Sequence, residues 1–548
     1  MFLFFLGTRM SLDTLDSSAG LATTSSASSS TTLSSSTDLS HLSHLRKSPP
    51  SPNKEDVQTK KKKKTESQPN LSSFVMRTST AGKEKIDKQI AKAIFATNSS
   101  FRCIENSQVK KAIHLLRPGY TPPSRKTIST SLLDEIYEEE KVKCFSSLSG
   151  QCVNMSIDGW SNVHNEPVIC ATITTEDGRA LLYETIDTSG KPHTSQYLTE
   201  IASDLISSCK SQYDCEVKSF VTDNAANMAL MRKTLEENTD SKVITYGCSA
   251  HILNLLCKDL QIPDVKEHVV QIVKYFRNNH LARAKFSQAG GNALVLPSDV
   301  RWNSVADCLK MYVTQWDILL KICEENKNQI DTTIYQKVSN IGLKHTAQEY
   351  LSILKPISVA LDILQRKNAT ISDAVEQWKH LQIIFEDVVE VPLEKIQKIQ
   401  DRYKQALTPY HFIAYMLNPQ KQKYELTPEE KNLALETIND LYGNTGLLPL
   451  VIKLNARSSP FKSIMFSDEI IKNVNGIQWW TSQKDEPEIA KQLPIIKQFL
   501  GATASSASVE RMFSTFGFVH SDVRNRMGIE KGGKLVFLFK LYNENAEV

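Results

Sequence analysis

The sequence predicts an α/β protein: a small sheet-containing core, interrupted by a large all-α insertion and preceded by a disordered tail. Three observations predict it. Residues 147–263 carry short β-branched runs separated first by turns and then by helical segments. From about Asp264 to Asn455 strand-like runs largely vanish and amphipathic segments follow one another. Residues 1–80 are rich in Ser and Thr and include a lysine run, a composition that cannot bury enough apolar surface to offset its ordering entropy.

Taken in order, residues 83–146 read as a helical segment. Lys83–Thr97 and Leu132–Ser146 space their apolar residues by three and four, with a turn-rich connector, Arg117 to Arg125, between them. Cys152–Ile157, Pro167–Thr174 and Ala180–Asp187 then read as strands, and Tyr197–Cys209 as a helix. Lys218–Thr222 is a strand, Met228–Glu236 a helix, and Val243–Gly247 a strand. The order β-β-β-α-β-α-β is that of an RNase H-like core: an antiparallel meander, then parallel strands joined through helices. Within the all-α insertion, 264–455, the periodic segments include Val265–Phe276, Val305–Glu325, Thr346–Leu364, Ile371–Glu390 and Pro428–Tyr442. The last part, 476–545, returns to helices that can complete the first core: Glu488–Leu500, Ser505–Phe516 and Lys531–Tyr542.

The totals narrow the class. A chain of 548 residues holds about two to four folding units. The net charge of +4 is mild, so a nucleic-acid face has to be a local patch. Ten cysteines are scattered without a Cys-x-x-Cys pair, which reads as reduced thiols rather than a disulfide framework or a zinc finger. No stretch approaches the ~20 apolar residues of a membrane span, so no membrane partner is expected. The opening Met-Phe-Leu-Phe-Phe-Leu is apolar but short, with no basic stretch before it, and a signal peptide is not expected. The run Lys60, Lys61, Lys62, Lys63 and Lys64 reads either as a solvated linker or as a nuclear import signal, and the expected location is the nucleus.

Two aspartates close apolar strands. Val153, Met155 and Ile157 share one face of the first strand; Asn154, Ser156 and Asp158 share the other, with Asp158 at the strand's end. Phe220-Val221-Thr222-Asp223 ends likewise, before a turn into a helix. As neighbours ~4.8 Å apart, the strands would bring both carboxylates together. Crowded carboxylates repel and resist desolvation unless a cation sits between them. An oxygen-only ligand set suits Mg²⁺ or Mn²⁺, and two such ions can activate a nucleophile and stabilise the leaving oxygen of a phosphodiester. Each aspartate alone also fits an ordinary turn or helix cap.

The C-terminal stretch Ala504-Ser505-Ser506-Ala507-Ser508-Val509-Glu510-Arg511-Met512-Phe513, continuing to Arg524-Asn525-Arg526-Met527, closely resembles the C-terminal signature of the hAT transposases (hobo, Activator, Tam3). Glu510 matches that family's third catalytic acid, on a helix whose N-cap the Ser505/Ser506 pair suits. Ser156–Ser161 resembles the block around the first acid and Thr222–Met228 the block around the second. Cys248-Ser249-Ala250-His251 resembles the Cys-x-x-His block, Arg301-Trp302 the Arg-Trp motif, and Trp479-Trp480 a pair that often precedes the signature. The resemblance covers roughly 100 to 545. It implies a metal-dependent DNA transposase with Asp158, Asp223 and Glu510 as catalytic and metal-binding acids, and self-association through the C-terminal region. It also implies DNA contacts from His251, Arg301, Trp302, Arg511, Arg524 and Arg526. Members commonly carry an N-terminal BED zinc finger. This chain has no such ligand pattern, so sequence-specific recognition by a finger is not expected of it.

Each of these motifs has a plainer reading. Cys248 and His251 have zinc spacing but no second pair nearby. Trp302 suits a core, and the three arginines suit a helix surface. The whole chain reads as a transposase, or as a domesticated, catalytically silent nuclear regulator that keeps the fold and dimerises. A purely helical scaffold has to treat three separated acid blocks as coincidence.

Overall fold

The computed structural model describes residues 78–162, 164–238, 242–298, 303–388, 393–421, 423–520 and 527–544. The Ser/Thr-rich tail lies outside them. Four α-helices precede the sheet: α1 (Thr80–Ala96), α2 (Ser107–Leu116), α3 (Arg125–Ser129) and α4 (Ser131–Ser146). α1 begins before the expected Lys83 because Ser79 caps it, accepting from the Gly82 amide at 3.2 Å. The short Phe101–Glu105 turn and α2 were not anticipated from the apolar spacing. α2 buries no residue fully and is only ten residues long, so the helical spacing of Val109, Ile113 and Leu116 covers about three turns.

Among the described residues a five-stranded mixed sheet follows, with strand order β3-β2-β1-β4-β5. β1 (Cys152–Ser161), β2 (Pro167–Thr174) and β3 (Ala180–Asp187) form an antiparallel meander. β4 (Glu216–Thr222) pairs parallel to β1, and β5 (Ile244–Gly247) parallel to β4. Parallel neighbours need long crossovers, supplied by α5 (Ser195–Tyr213) and α6 (Ala226–Asn238). β1 runs three residues past Asp158, to Ser161, so Asp158 lies within the strand rather than at its end. Pairing with β2 continues to Ser161↔Pro167 and holds the strand extended there.

The two faces of β1 differ. Val153, Met155 and Ile157 join Leu198 and Ile201 of α5 and Met231 of α6 in one apolar core. The opposite face carries Asn154, Ser156, Asp158 and Trp160 and is covered from two directions. Over β1–β3 lie the helices Ala507–Val519 and Ile529–Glu544: Trp160 stacks on Phe513 at 5.7 Å, and Thr172 Oγ1 meets Ser508 Oγ at 2.8 Å. Gly533 permits this approach, since a Cβ there would lie 2.8 Å from Thr185 Oγ1. Over β4 and β5, Val221 and Tyr246 belong to a second core built mainly from insertion helices. The candidate acids therefore lie at a seam between two coverings.

After the sheet come α7 (Ser249–Asp259) and α8 (Pro263–Asn278), the first of a run of helices that share two apolar cores among the described residues. The long helix Ile341–Leu364 joins them: Ala347 and Tyr350 are buried in one, Ile357 and Leu361 in the other. Trp479, Trp480 and Phe499 pack into the second of these cores, and the Trp480 indole donates to the Leu417 carbonyl at 2.8 Å. Three expected helices are broken. Val305–Glu325 splits at Gln315, whose side chain is held by the backbone of Asn292 (2.6 Å from its amide). Glu488–Leu500 splits into Pro487–Ala490 and Leu493–Leu500, the second carrying Pro494, which lacks an N–H, in its first turn. Ile371–Glu390 is α-helical only to Ile383, then widens into a π-turn over Ile384–Val388.

Candidate active site

The β1–β4 register pairs Ser156 with Val221. Two residues on stand Asp158, within β1, and Asp223, one residue past the end of β4, so the two aspartates are neighbours at the same level. Asp158 accepts from the Gly159 amide at 2.8 Å, and Asp223 from the Ala225 amide at 3.1 Å. The second bond opens the turn into α6. Glu510 sits in the first turn of Ala507–Val519. That helix packs over β1 and β2, where the Thr172–Ser508 contact fixes it.

Electrostatics tie the three acids together. Burial, then Asp223, then Glu510 push the Asp158 carboxyl up to about 8, against a single favourable bond from Gly159. Burial pushes Glu510 up to about 7, partly offset by the adjacent Arg511. The pocket therefore disfavours ionisation of Asp158 and Glu510. Among the described residues, no three or more His, Cys, Asp or Glu side chains are gathered closely enough to hold a metal ion. The acids interact as charges across the seam without converging on one point.

A buried polar floor supports them. Asn154 Nδ2 donates to Ser219 Oγ at 2.9 Å and to Tyr246 Oη at 3.0 Å. Its Oδ1 accepts from Thr503 Oγ1 at 2.8 Å, and from Ser156 Oγ at 3.3 Å. This network joins β1, β4, β5 and the segment leading to Glu510. Asn224 adds a second brace, donating to the Cys248 carbonyl at 2.8 Å. Only glycine fits beneath it: a Cβ on Gly247 would lie 1.8 Å from Asn224 Oδ1. Arg232 of α6 is buried against Asp223, donating to its carbonyl at 2.6 Å and also to Thr222 Oγ1.

Cys248 takes a structural part. It is buried and caps α7, its sulfur accepting from the His251 amide at 3.4 Å and from the Ser506 amide at 3.5 Å. Burial and nearby Glu510 push its thiol up to about 11. His251 stands beside Asp223; burial lowers its imidazole, and the aspartate partly offsets this. The expected Ser505/Ser506 cap is not made through a side chain. Ser506 occupies the N-cap position with φ −79° and ψ 15°, outside the extended conformation from which a cap side chain reaches back, and its amide donates to the Cys248 sulfur. Ser505 Oγ instead donates to the Leu364 carbonyl at 2.8 Å.

Residues 123–277, from just before α3 to the end of α8, match the family model described as Domain of unknown function (DUF659). This domain is found in hAT-type transposase-like proteins. The match spans well under half of the chain and includes Asp158 and Asp223 but not Glu510. No curated protein matches the chain significantly.

Of the residues singled out from sequence, Asp158, Asp223, Glu510 and His251 thus meet in one region. Arg511 is partly buried, and one guanidinium nitrogen donates to the Gln365 carbonyl at 2.8 Å, anchoring its helix to the end of Ile341–Leu364. Arg301, Trp302, Arg524, Arg526 and Lys60–Lys64 lie outside the described residues. The polar floor was missed by sequence reasoning. Its only trace was two polar residues, Asn154 and Ser156, alternating with apolar ones along the strand; in the fold both are buried.

Proposed function

We propose that this chain is a hAT-type, transposase-related protein whose site of DNA phosphodiester chemistry is formed by Asp158, Asp223 and Glu510 on an RNase H-like core. The strand order 3-2-1-4-5 and the match to a domain found in such proteins support this reading. One observation carries it: the Asp158 carboxyl is raised to about 8 by burial and by the other two acids. A seam in which Asp158 and Glu510 resist ionisation while Asp223 and Glu510 act on Asp158 would be relieved by a cation. The donors are all carboxylate oxygens, which fit Mg²⁺ or Mn²⁺. Asp158 and Asp223 would hold the ion from adjacent strands, with Glu510 as third ligand. When bound, such an ion polarises phosphoryl oxygens and lowers the pKa of a bound water. The chain's own residues orient the acids, through the Gly159 and Ala225 amides, and hold the strands in register through Asn154 and Asn224. Nuclear entry through Lys60–Lys64 and self-association through the C-terminal region belong to the same proposal.

A second reading, a fold kept for binding with cutting lost, is favoured by one observation. The acids are not gathered at metal-holding distance among the described residues. Nicking of supercoiled plasmid DNA in Mn²⁺ separates the two. The transposase reading expects cutting by the unmodified chain and none by Glu510→Gln. Absence of cutting in both, with both folded, overturns it in favour of the silent form.

A further inference from the structure

Residues 101–131 hold Arg102, Lys110, Lys111, Arg117, Arg125 and Lys126 against one acid, Glu105. The whole chain carries only +4, so the remaining residues taken together are close to neutral. All six cations are exposed. They form one folded surface: Ile104 and Ile128 are buried in the sheet core, and Arg125 pairs with Glu105 at 3.5 Å, tying α3 to the Phe101–Glu105 turn. On α2, Val109 and Ile113 lean on that core, while Lys110, His114 and Arg117 follow each other along the outer side at helical spacing.

All of these cations except Arg125 lack an ion pair among the described residues. On α1, Lys83, Lys88 and Lys92 each pair with a carboxylate. Among the described residues Arg102, Lys110, Lys111 and Lys126 make no ion pair, and Arg117 donates to Thr78 Oγ1 at 3.1 Å. Like charges held together on a small folded surface repel, and an extended polyanion relieves that repulsion.

We propose that α2, with Arg102 and the start of α3, is a docking surface for the phosphate backbone of duplex DNA, separate from the candidate active site. From Lys110 to Arg117 the helix rises ~10 Å, enough to reach about two successive phosphates of one strand. A lipid surface fits less well. An interfacial helix needs its apolar side free, and here Val109 and Ile113 are turned to the protein, leaving Leu115 and Leu116 at one end, 81% and 86% exposed. Docking by charge needs no divalent ion and no cutting, so this inference stands apart from the reaction proposed above.

Fluorescence anisotropy of a labelled duplex with the full chain, in EDTA over a salt series, tests it. The variant Arg102→Ala/Lys110→Ala/Lys111→Ala/Lys126→Ala is expected to bind at least ~10-fold more weakly at about 0.1 M salt. The slope of log affinity against log salt should become shallower by about 2 to 4. Changing exposed lysines elsewhere (Lys233, Lys321 and Lys472 to Ala) should leave both unchanged. Circular dichroism and melting confirm that each variant is folded. The proposal is overturned if the fourfold variant keeps wild-type affinity and slope, as it would if the Lys60–Lys64 run alone bound DNA. It is equally overturned if the unmodified chain binds no duplex, or if the four residues govern binding to phosphatidylserine vesicles but not to DNA.

Discussion

Replacing Asp158 by Asn removes a charge from a pocket that accommodates it poorly. The ordinary carboxyl value of 3.8 is raised to about 8 in the folded chain. The difference corresponds to a ceiling of about 6 kcal/mol on the cost of ionising this group in the fold relative to the unfolded chain. The sign follows from linkage. Below about pH 4 the acid is protonated in both states and costs nothing. As pH rises toward about 8 the unfolded chain releases its proton while the folded chain retains it, so stability falls through that window. Without divalent ions the unmodified protein should therefore unfold more readily at about pH 8 than at about pH 5. Asp158→Asn should be the more stable of the two at pH 8 and lose most of that pH dependence. Magnesium at about 100 times its Kd should return about 2.7 kcal/mol to the unmodified chain and nothing to the variant. Urea unfolding followed by circular dichroism, in EDTA and in Mg²⁺, reads all of this. A variant less stable than the parent at pH 8 in EDTA, or an unchanged pH slope, refutes the reasoning.

Three further outcomes test the supports of the site. Gly247→Ala forces a methyl into Asn224 and should cost about 1–3 kcal/mol, read as a lower urea midpoint; an unchanged midpoint contradicts the packing described. Asn154→Ala strands buried partners on Ser219, Tyr246 and Thr503 and should cost about 1–3 kcal/mol; an effect below about 0.5 kcal/mol means the polar floor is solvated or already broken. The buried Cys248 thiol, pushed up to about 11, should resist iodoacetamide at neutral pH until the chain unfolds. Cys248→Ser should keep the α7 cap and Cys248→Ala lose about 1 kcal/mol; a zinc-dependent change in melting would point instead to a ligand role.

The sheet was legible in the sequence because β2 and β3 are short apolar runs bounded by turn residues. The β1–β4 pairing follows from the topology those runs imply. Asp158 and Asp223 could be anticipated as neighbours because a strand has only two faces. Less legible was everything that depends on contacts distant in sequence. Nothing local marks Gln315 as a break, since its partner is the backbone of Asn292. Asn154 and Ser156 look like the wet side of a half-buried strand until Thr503 and the Ala507–Val519 helix close over them. α2 hid because it is short: Val109, Ile113 and Leu116 do recur at helical spacing, but over about three turns between turn residues. Trp479 and Trp480, expected near the C-terminal signature, pack into the insertion's core, where their indoles find the Met465 and Leu417 carbonyls.

The central claim is that Asp158, Asp223 and Glu510 together hold a divalent cation. A crystal soaked in Mn²⁺ and measured at the manganese absorption edge tests it most directly. The account predicts an anomalous peak between the Asp158 and Asp223 carboxylates, with Glu510 drawn in as a ligand, and no peak there in Asp158→Asn. Manganese bound elsewhere, or a fully ionised triad with no manganese between its members, would contradict it.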